Sequence, residues 1–113
     1  MYYIRDTKDN MRTKENQTSH DSQVGIQANS LIDKGFNKIF VDLPGYAKPP
    51  TINGHIPDVF AQKILNGIIT ETAIIEIETE DTLSTPHTFM QHSVFKQYAT
   101  SRPNTWFATV IAR

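Results

Sequence analysis

The sequence predicts a single α/β domain built on a central mixed sheet flanked by helices. Three observations predict it. A stretch with helical spacing ends at Gly35. Three β-rich runs follow, separated by Pro-Gly and Asn-Gly turn signals. A proline-initiated helical stretch then leads into a last apolar run. The order helix, strand, strand, strand, helix, strand is that of an α/β domain, and the crossover from the third strand to the fourth should be parallel. With 113 residues, one small domain is expected.

Residues 1–18 read as a flexible N-terminal arm, because Thr7 to Thr18 is polar and without periodicity. Residues 19–113 form the domain. Val24, Ala28, Leu31 and Ile32 recur at helical spacing and place a helix at about 20–34, with Ser19, Asp21 and Ser22 as candidate caps and Gly35 as its stop. Phe36 to Leu43 is a strand centred on Ile39-Phe40-Val41. Pro44-Gly45 ends it, and a loop carries Pro49-Pro50 and Asn53-Gly54. Ile56 to about Gln62 is the second strand, antiparallel to the first if the loop folds back. Asn66-Gly67 is the clearest turn signal. The third strand is Thr72–Thr79, with Ile68-Ile69 extending it or leading in. Ser84 or Thr85 caps a second helix with Pro86 at its first position, and Met90, Val94 and Tyr98, with Phe89 and Phe95, give it an apolar stripe to about Thr100. Trp106 to Ala112 is the last strand, with Phe107, Val110 and Ile111 mostly buried.

Composition excludes several chemistries. There is no cysteine, hence no disulfide, zinc-thiolate site or thiol nucleophile. The net charge of −1 gives no global attraction to nucleic acid, so any phosphate-binding surface must be local. No run of 18 apolar residues and no signal-peptide core is present, which reads as a soluble cytoplasmic protein with no membrane partner. Phosphate-loop, nucleophile-elbow and repeat signatures are absent.

The chemistry concentrates in His55–Ala61 and Ile74–Glu80. In the second segment Ile75 and Ile77 point one way and Glu76, Glu78 and Glu80 the other. Three carboxylates on one strand face, beside Asp58 on a neighbouring strand, repel one another unless solvent, a cationic partner or a metal ion intervenes. An alternating Ile/Glu strand is also what a half-solvated sheet edge looks like.

Pro57-Asp58, followed by the acidic strand that begins at Glu76, resembles the PD-(D/E)xK nuclease superfamily, the restriction-endonuclease-like fold. The likeness covers roughly residues 19–112 in order of elements. Glu78 stands where that family usually has Lys. The resemblance implies a metal-dependent nuclease that hydrolyses DNA phosphodiester bonds. Asp58, Glu76 and Glu78 would be the catalytic set, and Mg²⁺ (or Mn²⁺) would be held by Asp58, Glu76 and the main-chain carbonyl of Ile77. It also implies a nucleic-acid partner, DNA above all. Gln91 on the second helix, with Phe95 four residues on, is an accessory candidate, and Lys48 and Lys96 are candidate substitutes for the missing Lys. A homodimer would let so small a site cover a duplex. The alternative is a catalytically inactive module of the same fold that binds nucleic acid or a protein partner.

Among the remaining groups, the resemblance lets His20, Asp21 or Gln23, near the start of the first helix, face the site, but capping and exposure are the favoured reading for all three. His55, His87 and His92 show no zinc-motif spacing. Lys34, Lys38, Lys48 and Lys63, interleaved with Phe36, Phe40 and Tyr46, are a candidate nucleic-acid-tracking surface.

Overall fold

A computed structural model describes the backbone of residues 3–5 and 11–113, with side chains from Arg12 onward. Two short strands, β1 (Tyr3–Arg5) and β2 (Met11–Thr13), pair antiparallel. Helix α1 (Lys14–Asp33) follows, then β3 (Lys38–Val41), β4 (Val59–Leu65) and β5 (Ile68–Glu78). Helix α2 (Pro86–Thr100) and β6 (Thr105–Ile111) complete the chain.

The main sheet has the order β3-β4-β5-β6, with the first two pairings antiparallel and the last parallel. Its two faces have separate cores. Alternation on β5 sends Ala73, Ile75 and Ile77 to one side, where they meet Val24, Ala28 and Leu31 of α1. Ile74 points to the other side and joins Phe60 and Phe95 of α2. The helices therefore cover opposite faces, and Glu76 and Glu78, in phase with Ile74, face the α2 side.

Local signals explain the boundaries. Gly35 takes φ +97°, and the amides of Gly35 and Phe36 donate to the carbonyls of Ile32 and Leu31, closing α1 in a Schellman arrangement. Asn66 and Gly67 both have positive φ, 54° and 76°, the requirement of a two-residue type I′ hairpin turn between β4 and β5. Thr85 is the N-cap of α2, accepting from the Thr88 amide, with Pro86 as the first helical residue.

Several expectations need correction. Helix α1 starts at Lys14, not 20, and its N-cap is Thr13, which accepts from the Asn16 amide. Residues 11–18, assigned to the arm, thus lie in β2 and the first turns of α1. Arg12 and Thr13 are buried against the end of β5, a tertiary interaction that a polar, aperiodic segment does not advertise. The rest of the expected arm, apart from the backbone of β1, lies outside the described residues. Ile32 is exposed. On α2 the sheet-facing stripe is Thr88, Gln91, Phe95 and Ala99. Val94 and Tyr98 are partly buried beside it, whereas Phe89 and Met90 face solvent. Phe107, Val110 and Ile111 are only half-buried, because β6 is a sheet edge. No helix among the described residues is long and apolar enough to cross a membrane.

Candidate functional site

Asp58 lies in the bend immediately before β4, one residue ahead of the strand on which it was expected. Burial of Pro57 and Asp58 brings the Asp58 backbone against β5. The Asp58 amide donates to Glu76 Oε1 at 2.8 Å, and the Ile77 amide donates to Asp58 Oδ2 at 2.8 Å. Glu76 is thus tied to the bend that carries Asp58, and Asp58 to β5, each by a charge-assisted bond. Asp58 is 1% exposed and Glu76 is fully buried.

Glu78, two residues on, is also fully buried. Thr82 donates its hydroxyl to Glu78 Oε1 at 2.8 Å, and His92 Nε2 of α2 lies 3.1 Å from Oε2. Arg12 Nη2 of β2 approaches Oε1 to 3.6 Å. The same guanidinium donates from Nη2 to the Ile77 carbonyl at 3.4 Å and from Nε to Thr79 Oγ1 at 3.2 Å. A cationic partner therefore relieves the repulsion at this position. Glu80 lies past the end of β5 and is exposed, so the strand face carries two buried carboxylates rather than three.

His20 is a second correction. It is buried on the same stripe as Val24, Ala28 and Leu31, not exposed as a cap. Its Nδ1 is 2.9 Å from Asp21 Oδ1 and its Nε2 is 3.2 Å from Asp58 Oδ1. The second approach is an ion-pair distance without good hydrogen-bond alignment. Burial by itself pulls the imidazole pKa down and the Arg12 charge adds to that. The Asp58 carboxylate close to Nε2, helped by Asp21, outweighs both, and the net direction is upward. A carboxylate beside each ring nitrogen favours the imidazolium.

Glu76, Glu78 and His92 each offer a ligand atom, and these atoms lie within 4.8 Å of one another. Among the described residues this is the set that converges in a way that could hold a metal ion. It shares Glu76 with the expected ligands and leaves out Asp58. The Ile77 carbonyl, the third expected ligand, already accepts from Arg12.

The accessory candidates separate. Gln91 is fully buried on the sheet-facing stripe of α2, and neither its amide oxygen nor its nitrogen has a hydrogen-bond partner. Lys48 is drawn elsewhere: its Nζ donates to the Leu43 carbonyl at 2.8 Å, lies 4.0 Å from Asp42, and makes no ion pair with Asp58, Glu76 or Glu78. Of the aromatics in the candidate tracking surface, Phe36 is buried beneath Lys63, whose Nζ sits 5.0 Å over the ring, whereas Phe40 is half-buried and Tyr46 exposed. Lys63 also pairs with Glu71 at 3.3 Å.

Sequence reasoning missed Arg12 and His92, and ranked His20 as a cap ahead of a site residue. His20 precedes Val24 by one helical turn, so extending the buried stripe backwards would have found it. Arg12 and His92 carry no such signal, since their partners lie in distant parts of the chain. No protein family, curated protein or solved structure matches this chain.

Proposed function

We propose that the chain is a metal-dependent phosphodiesterase of the PD-(D/E)xK kind acting on DNA, with its site between the start of β4 and the end of β5. The observation that carries this reading is the pair of bonds between the two motif segments, from the Asp58 amide to Glu76 Oε1 and from the Ile77 amide to Asp58 Oδ2, which anchors two buried acidic residues on adjacent backbone. Glu76 is the central ligand for a cation, with Glu78 beside it, while the Asp58 carboxylate meets His20 and lies outside the converging set. A divalent cation, when bound, supplies Lewis-acid polarisation of the phosphodiester and charge relief for the departing oxygen. Glu78 is the group to accept a proton from the attacking water, its orientation held by Thr82 and His92. Arg12 supplies, from another element, positive charge where the family has Lys. His20 braces Asp58 from α1.

The test is cleavage of labelled DNA with Mg²⁺ or Mn²⁺, comparing the wild type with Asp58→Ala and Glu76→Ala. Loss of cleavage in both variants supports the assignment, and equal cleavage in all three overturns it. A second reading is an inactive module of the same architecture that binds nucleic acid or a protein. It is favoured by the Arg12 guanidinium lying on the Ile77 carbonyl and beside Glu78, where a cation would otherwise be recruited. Calorimetry separates the two: Mn²⁺ binding abolished by Asp58→Asn belongs to the enzyme, and no metal binding belongs to the module.

A further inference from the structure

The family resemblance points to an all-oxygen site for magnesium, but the side chains that converge include a nitrogen. His92 Nε2 stands 3.1 Å from Glu78 Oε2 and within 4.8 Å of the ligand atoms of both glutamates. Its ring packs at a tilt of 59° against Phe107, with centroids 5.6 Å apart, which limits the directions in which Nε2 can point. His92 is also the one member of the three that is partly exposed, so an ion entering from solvent meets it first.

Gln91 is an independent pointer to a ligand. A buried primary amide with neither end bonded costs free energy, and such groups are rare in folded proteins. Its position follows from the fold. Helix α2 connects two parallel strands, so it runs antiparallel to β5. Phe95 packs in the same cluster as Ile74. Stepping back four residues along the helix moves about 6 Å toward the C-terminal end of β5. Stepping two residues along the strand from Ile74 moves about 6.6 Å the same way. This puts Gln91 at about the level of Glu76, on the face that carries the converging set, with an amide oxygen that the protein itself does not use.

We propose that Glu76, Glu78 and His92 form a mixed oxygen–nitrogen site, completed by the Gln91 amide oxygen, that takes a first-row transition-metal dication in preference to Mg²⁺. Magnesium demands near-octahedral oxygen coordination and keeps several waters, whereas imidazole suits zinc and its neighbours. This rests on the metal-dependent reading above for its catalytic meaning, but not for its existence.

The experiment titrates the full chain with Zn²⁺, Mn²⁺ and Mg²⁺ in separate calorimetric runs. Wild type, His92→Ala, His92→Gln and His87→Ala are compared, with circular dichroism reporting the fold. Pulsed electron paramagnetic resonance of the Mn²⁺ form reads nitrogen coupling directly. The wild type should bind one Zn²⁺ at least about tenfold more tightly than Mg²⁺. Replacing His92 should weaken Zn²⁺ by at least about tenfold and remove the nitrogen signal, while His87→Ala changes neither. The glutamine variant can still bond Glu78 and serves if the alanine variant does not fold. Equal Zn²⁺ and Mg²⁺ affinity, or a nitrogen signal that survives loss of His92, overturns the proposal. A Zn²⁺ site that depends on His92 in a protein that cuts no DNA would sink the nuclease reading alone. Mg²⁺-supported cleavage untouched by His92→Ala, with no such Zn²⁺ site, would sink this proposal alone.

Discussion

The guanidinium of Arg12 lies 3.6 Å from the carboxylate of Glu78, and each side chain is only 1% exposed. A charge so enclosed is tolerated only with a partner, because burial without one costs several kcal/mol. The pair joins β2 to the end of β5 across 66 positions of sequence.

Removing one member should therefore cost more than removing both. Arg12→Met is expected to destabilise the fold by about 3–5 kcal/mol, because it strips the buried Glu78 of its cation. Adding Glu78→Met should recover much of that loss. Urea denaturation of the two single variants and the double variant closes the cycle. A double variant as unstable as the sum of the singles would show that the two charges do not act on each other.

The cleavage reading makes a sharper demand on Asp58. Asp58→Asn keeps an oxygen that can accept from the Ile77 amide, so the bend before β4 should survive. The charge is lost, and metal-supported DNA cleavage should fall by about 10²–10³-fold, as is typical for removing one electrostatic contact to the reacting centre. Single-turnover rates on labelled duplex, with melting temperature as the fold control, give the answer.

Asp81 sets an acid limit on the N-terminal junction. Burial raises its carboxyl pKa. Hydrogen bonds from the Thr79 hydroxyl, the Thr13 amide and the Asn16 side chain outweigh that and hold it below the usual carboxylate range. A depressed folded-state pKa stabilises the protein above the unfolded value, about 3.9, and that contribution is lost as pH falls through the folded value. Asp81→Ala should lower stability by about 1–2 kcal/mol at pH 7, and the gap from wild type should close below about pH 4. A gap that stays constant from pH 7 to pH 3 would contradict it.

The hairpin between β4 and β5 aligns the acidic strand with its neighbour, and its turn depends on backbone conformation alone. A Cβ at Gly67 would meet nothing within 4 Å, so Gly67→Ala adds no clash. Its φ of 76° is left-handed, however, and alanine there should cost about 1–2 kcal/mol. Thermal denaturation checks this, and an unchanged midpoint would mean that the turn relaxes to another type.

Much of the architecture was legible because it is set by local chemistry. Asn66-Gly67 specified the hairpin, Thr85-Pro86 opened α2, and Gly35 closed α1, each through φ preferences or caps that act within a few residues. The alternation of Ile75 and Ile77 with Glu76 and Glu78 was equally readable, since strand period assigns faces without knowledge of what lies opposite. The stripe on α2 was misread because Phe89 and Met90 look like core, whereas Gln91 looks like surface.

The sequence by itself determined the elements, their order and which side of β5 carries the carboxylates, because dihedral preferences and side-chain period are properties of neighbouring residues. Only the tertiary structure decided what those carboxylates meet. Arg12 arrives from a segment that reads as polar arm, His20 from the helix on one face and His92 from the helix on the other. Compensation of buried charge is a contact between distant parts of the chain, and it leaves no periodic trace in either part.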